Sequence, residues 1–155
     1  LKAIVAILVS VWLGGLFDPR ILPTTPLENQ AMILVFFKYW GGLFCLLGHM
    51  FPCMFHFKGG KGILSGGTIA IMIDWRVALV VWGGFLILAV LTRYVSLGSC
   101  WAGASFPFIT WFVYRSVPVT VLAVIIGGLI LYMHRGNIHR LLTGTENKFT
   151  LHKKS

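Results

Sequence analysis

Residues Val77–Leu91 read VALVVWGGFLILAVL, fifteen residues without a charge, an amide or a proline. A surface helix of a soluble domain carries polar residues along its outer face; this run has none, so its whole circumference needs protein or lipid around it. Five similar runs flank it: Ala3–Phe17, Ala31–Leu47, Ile63–Ile73, Ser96–Phe112 and Pro118–Met133. Several are shorter than the ~20 residues that span a bilayer, and extension into their flanks rescues most. Ile63–Ile73 is the shortest and reads as a short or partly re-entrant helix.

The composition agrees. Of the 155 residues 57% are apolar and 11% are charged, too few charged side chains to clothe a soluble surface. Mean hydropathy is +0.87, which excludes a disordered chain. The expected fold is all-α: one polytopic membrane bundle of about six helices over residues 1–155. The chain starts at Leu1 and is apolar from Ala3. We read Ala3–Phe17 as a spanning helix, not a signal peptide, since no A-x-A site follows it, and we expect its upstream neighbour to lie outside the sequence given.

Net charge is +9. On a soluble chain that would suggest nucleic acid; in a membrane chain it suggests retained cytoplasmic loops, anionic lipid or anionic substrates. With strict alternation, Lys2, Lys58, Lys61, Arg93, Arg135, Arg140, Lys148, Lys153 and Lys154 share one side, against Arg20, Arg76 and Arg115 on the other. The positive-inside rule puts the first group in the cytoplasm. Lys38 falls inside a run and reads as a snorkelling side chain. The opposite loops, DPRILPTTPLENQ at 18–30, DWR at 74–76 and VYRSV at 113–117, read as turns.

The basic side carries three constellations. In the first, His49 and the segment Lys58-Gly59-Gly60-Lys61-Gly62 precede the run at Ile63. Glycines let backbone N–H groups approach a ligand, and a helix N-terminus favours anions. The segment therefore reads either as a phosphate cradle or as a basic turn. It is not a Walker A loop, because Gly62 follows Lys61 where Ser or Thr is needed. In the second, Arg93-Tyr94-Val95-Ser96-Leu97-Gly98-Ser99, Ser96 is placed to cap a helix. Ser99, three residues on, lies on nearly the same face and is either a substrate contact or a small packing residue. In the third, His134, Asn137 and Leu141 share one helical face, with Glu146 beyond. His with Asn can orient a hydroxyl and take a proton; a basic amphipathic tail is the alternative. Cys45, Cys53 and Cys100 form no CxxC pair, and no H-E-x-x-H, Cys/His cluster or G-x-S-x-G occurs, so the sequence speaks against zinc hydrolysis and a nucleophile-elbow serine.

Three stretches together resemble the bacterial PlsY family, integral-membrane acyl-phosphate:glycerol-3-phosphate acyltransferases. They are GHMFP at 48–52 with FKGGKG at 57–62, RYVSLGS at 93–99, and HRGNIHRLLTGTENKF at 134–149. Departures are Gly136 at a position that is usually polar, and Gly62-Ile63-Leu64-Ser65 where the family often has G-V-A-T. The family's first motif, S-G-N-x-G-A-T-N, has no counterpart here; the missing segment would complete a family count of seven helices.

The resemblance implies acyl transfer from acyl phosphate to the sn-1 hydroxyl of glycerol 3-phosphate, giving lysophosphatidic acid and phosphate. By position it implies His134, Asn137, Ser99 and Lys61 as catalytic residues. Gly59, Gly60, Gly62, Lys58, Arg93, His49, Ser96 and Arg140 would bind substrate, with Glu146 structural. It implies no metal or other cofactor and no nucleic acid. The implied partners are both substrates, membrane lipids and, as a candidate, the soluble enzyme that makes acyl phosphate. Either a substrate phosphate or His134 serves as base. The rival readings are an inactive truncated remnant and an anion transporter.

Overall fold

A computed structural model of the chain describes residues 2–17, 27–52 and 59–149. Among them are seven helices: α1 Lys2–Phe17, α2 Leu27–Met50, α3 Ile63–Ile73, α4 Trp75–Thr92, α5 Val95–Tyr114, α6 Val117–Met133 and α7 Arg135–Leu142. Six are the apolar runs. The seventh, α7, is the short basic segment of the third constellation and not a further span. Helix α1 lies along α2, α4 along α5 and α5 along α6, while α2 packs on both α3 and α6.

The loops are shorter than the sequence suggests. Leu27–Gln30, read as part of a turn, already belongs to α2. Only Asp74 separates α3 from α4. Its N–H closes α3 on Ala70 O at 3.2 Å, while its carboxylate accepts from Arg76 N at 2.8 Å and so starts α4. Tyr114 Oη donates to the same carboxylate at 3.1 Å. Lys38 reaches this end too: its ammonium donates to Ile73 O, a free terminal carbonyl of α3, at 3.4 Å. That is the snorkelling geometry expected of it.

Two helices, Ala31–Met50 and Trp75–Thr92, are each long and apolar enough to cross a bilayer, and α6 with α7 passes the same test only as a pair bent by 61°. Helix α5 has the length, at 20 residues, but buries Ser96, Ser99, Ser105 and Thr110 inside the bundle. Helix α3, at 11 residues, is about 16 Å long at 1.5 Å per residue, roughly half the ~30 Å hydrocarbon layer. It is thus the short helix the sequence suggested. Large apolar side chains face outward along α4 (Leu79, Leu86, Ile87, Val90, Leu91), as a lipid-facing surface requires.

Contacts between helices rest on small residues and one buried hydroxyl pair. Pro107 interrupts α5, and lacking an N–H it leaves Gly103 O without its helical donor. Gly127 of α6 packs on that carbonyl so closely that a Cβ there would run into it. Tyr39 Oη and Thr110 Oγ1, 2.7 Å apart and buried, join α2 to α5. Gly127→Val should overpack this crossing and cost about 1–3 kcal/mol, read as a lower thermal midpoint in lipid nanodiscs. An unchanged midpoint would mean that α5 and α6 are not in such close contact.

Candidate active site

The up-and-down order brings the C-termini of α2, α4 and α6 and the N-termini of α3 and α5 to one end. There the three constellations meet. Lys61 Nζ donates to Asn137 Oδ1 at 2.8 Å. The Asn137 amide Nδ2 donates to Ser96 Oγ at 2.8 Å and to Glu146 Oε1 at 2.9 Å. Ser96 Oγ itself donates to Glu146 Oε1. Arg140 Nε closes the set on Glu146 Oε2 at 2.6 Å. Residues separated by up to 76 positions, Lys61 and Asn137, thus share one network, and a neutral amide joins the Lys61 ammonium to the Glu146 carboxylate.

The glycines allow the basic loop to lie on the end of α2. Gly60 N donates to His49 O at 3.3 Å. A Cβ at Gly59 would run into His49 O, and one at Gly60 would come within 2.5 Å of His49 Nε2. Gly62 has φ 78 and ends the loop at the N-terminus of α3, a left-handed conformation that glycine adopts without steric cost. Lys58 lies outside the described residues. Arg93 ends α4 with φ 61, and its carbonyl accepts from Phe149 N at 2.8 Å. Lys148 sits 5.6 Å over the Tyr94 ring. The segment after α7 therefore lies across the α4–α5 turn, which is how Glu146 reaches Ser96.

Two sequence readings change. The third constellation is not one continuous helix: the chain bends by 61° between α6 and α7, with His134 at the break. His134 and Asn137 are nonetheless both buried. Ser96 does not cap α5: Tyr94 occupies that position, and the Ser96 hydroxyl is committed to Glu146. Ser99 is buried and donates to Val95 O at 3.0 Å, the back-bond a mid-helix serine commonly makes, so its proton is turned to its own helix. Arg140 spends one side of its guanidinium on Glu146. Glu146, read as structural, is the centre of the network.

His134 Nδ1 lies 2.8 Å from Ile130 O. A carbonyl only accepts, so in the neutral ring Nδ1 carries the proton and Nε2 carries the lone pair. Burial lowers the His134 pKa below 6.5, so the ring is neutral at neutral pH. Hydrogen bonds from Ser96 and Asn137, with the ion pair to Arg140, hold Glu146 at about 2 against an ordinary 4.5. Both shifts are downward, so both contributions to stability are lost as pH falls. That of Glu146 is complete above 4.5 and lost toward about 2. That of His134 declines as pH drops below 6.5. The thermal midpoint in nanodiscs should therefore fall between about pH 7.5 and 5.5, and His134→Gln should flatten that decline. The same slope in both proteins would remove His134 as its origin.

At this end of the bundle the described residues include the basic Lys61, Arg93, Arg135, Arg140 and Lys148 and one acidic residue, Glu146. A small apolar cavity of about 20 Å³ is lined by Ile63, Gly67, Trp82, Phe106, Ile126 and Ile130, among other side chains. Among the described residues no three His, Cys, Asp or Glu side chains converge as metal ligands.

The class so defined is a helical membrane protein with a basic, hydrogen-bonded polar site at one end of an apolar bundle. The family profile described as glycerol-3-phosphate acyltransferase matches residues 1–144. The glycerol-3-phosphate acyltransferase of Fusobacterium nucleatum is 39% identical over 145 residues, covering 94% of this chain and 72% of the relative. That of Aquifex aeolicus is 41% identical over 138 residues, covering 86% and 67%. The crystal structure of PlsY (YgiH), an integral membrane glycerol 3-phosphate acyltransferase, in its glycerol 3-phosphate form, superposes with a TM-score of 0.66. It is 28% identical, with 96% of this chain and 94% of that one covered. This chain belongs to the glycerol-3-phosphate acyltransferase family.

Proposed function

We propose that the chain transfers a fatty acyl group from acyl phosphate to the sn-1 hydroxyl of glycerol 3-phosphate, releasing lysophosphatidic acid and phosphate. The observation that carries this reading is the juncture of Lys61, Asn137, Ser96, Glu146 and Arg140 beside Gly59–Gly62 at one end of an apolar bundle. Two phosphate-bearing substrates, one of them greasy, need such a place: cations and backbone N–H groups for the phosphates, and the apolar flank of the bundle for the tail.

Gly59 and Gly62 offer backbone N–H groups to the donor phosphate, Gly60 having given its own to His49 O, and Lys61 supplies a full charge. Arg93, the outer edge of Arg140, His49 and Lys58 add to the field that attracts both anions. His134 Nε2 accepts from the neighbouring sn-2 hydroxyl of glycerol 3-phosphate and so orients the molecule, leaving the sn-1 proton free, with Asn137 and Ser96 fixing the wall beside it. The hydroxyl oxygen attacks the acyl carbon, and the tetrahedral oxyanion collapses with cleavage of the bond to the phosphate oxygen. The departing phosphate takes the hydroxyl proton, so no side chain need act as base. The acyl group arrives already activated, which leaves the protein to position it and stabilise charge. Ser99, turned on Val95 O, holds the α5 backbone and does not enter the step.

The positive-inside rule supports a site on the cytoplasmic face of the bilayer. The soluble enzyme that makes acyl phosphate is a fitting partner on that side, since its product is amphiphilic.

A donor comparison tests the reading: purified protein in nanodiscs is given glycerol 3-phosphate with acyl phosphate, acyl-coenzyme A or acyl-carrier protein. Lysophosphatidic acid should form from acyl phosphate at a rate at least tenfold above either thioester (~1.4 kcal/mol). Equal or faster transfer from a thioester would overturn the donor assignment.

A further inference from the structure

We propose that the outer side of α7, with the end of α6 beside it, is a docking surface for an anionic phospholipid of the surrounding bilayer. Two independent features meet there. The first is an open stripe on α6. Val121, Ile125 and Tyr132 are exposed, and a Cβ added at Gly128 would meet nothing within 4 Å. Spacings of four, three and four residues set these positions in one line along the helix. At 1.5 Å per residue the line is about 16 Å long, close to half of the ~30 Å hydrocarbon layer. It is as long as one leaflet of lipid tails.

The second feature is α7, which turns away from α6 by 61° just past Tyr132. Arg135, His139 and Leu142 stand at i, i+4 and i+7, so they share one side of α7, opposite Asn137. All three are exposed, Leu142 by 83%, whereas Asn137 is buried in the polar network. Helix α7 thus gives one side to the site and leaves the other uncovered by the described residues. A bulky apolar side chain among basic ones on a helix turned out of the bundle suits the membrane interface.

Arg135 joins the two features. Its guanidinium lies 4.3 Å over the Tyr132 ring and donates to Tyr132 O at 3.0 Å. Tyrosine at the end of a span is a headgroup-level residue. The ion pairs among the described residues, Arg76 with Asp74 and Arg140 with Glu146, leave Arg135 without a carboxylate. Its remaining N–H groups can donate to a phosphate, and His139, one turn on, adds a ring donor. The occupant is anionic because this side of α7 is basic and has no acid. It is a lipid because the stripe leading up to Arg135 is apolar and one leaflet long. A zwitterionic headgroup carries its own cation beside the phosphate, so the net negative lipid is favoured.

Photolabelling tests this without substrate, so its outcome is independent of the acyl-transfer reading. The protein in phosphatidylcholine nanodiscs receives a trace of phosphatidylglycerol or of phosphatidylcholine, each with a diazirine near the glycerol end of one acyl chain. Labelled peptides are then identified by mass spectrometry. Labelling of residues 121–142 by the phosphatidylglycerol probe should exceed that by the phosphatidylcholine probe about fivefold. The excess should vanish in Arg135→Gln and persist in Lys2→Gln, which removes one positive charge from α1. Equal labelling by the two probes in the unsubstituted protein would overturn the docking surface. So would an excess that survives Arg135→Gln, or one lost equally in Lys2→Gln, which would mark a general effect of net charge.

Discussion

Lys61→Met lowers kcat/KM for acyl transfer by a factor of about 10²–10³, the usual effect of removing one preorganised donor from a site where charge develops. Two properties of the site carry that expectation. Lys61 stands between the loop glycines and Asn137, with its ammonium 2.8 Å from Asn137 Oδ1, so it adjoins both the anion-binding backbone and the polar network. Glu146, the network's carboxylate, is already engaged by Ser96, Asn137 and Arg140. The Lys61 charge is therefore not cancelled by a direct ion pair and stays available to phosphate. Lys61→Arg should recover only part of the loss, since a planar fork does not reproduce a compact ammonium on a crowded loop. Initial rates with each substrate varied would show it. Full activity in Lys61→Met would exclude Lys61 from the site.

His134→Ala should cost about 10²-fold in kcat/KM, expressed chiefly as a rise in the KM for glycerol 3-phosphate. The Ile130 carbonyl fixes the proton on Nδ1 and leaves the Nε2 lone pair for a substrate hydroxyl. Burial keeps the ring neutral, so it accepts without carrying charge. If the departing phosphate takes the proton, loss of the ring loosens binding and orientation more than it slows chemistry. A large fall in kcat with KM unchanged would instead make His134 the base.

The sequence shows these elements unequally. Periodicity and hydropathy mark Ile63–Ile73 with the bounds observed, because Gly62 before it and Asp74 after it are strong local signals. They also mark the runs of α4 and α6 to within a few residues. The break at His134 is not visible that way. No proline marks it, and a spacing of three residues would place His134 and Asn137 on one face of a continuous helix. The three constellations can each be found in the sequence, but their pairing cannot. Glu146 binds Ser96 across 50 positions and Asn137 across nine, and local spacing has no information about either contact. Local rules give Ser96 to a cap and leave Ser99 between a substrate contact and a packing residue, while the fold gives Ser96 to Glu146 and Ser99 to Val95 O.

One labelling measurement tests acyl transfer at this site most directly. The purified protein in nanodiscs is given glycerol 3-phosphate and acyl phosphate carrying heavy oxygen at the bridging position. Attack at the acyl carbon predicts lysophosphatidic acid and phosphate in equal amounts, with the label entirely in the phosphate. Label retained in a released fatty acid, or no lysophosphatidic acid at all, would contradict it.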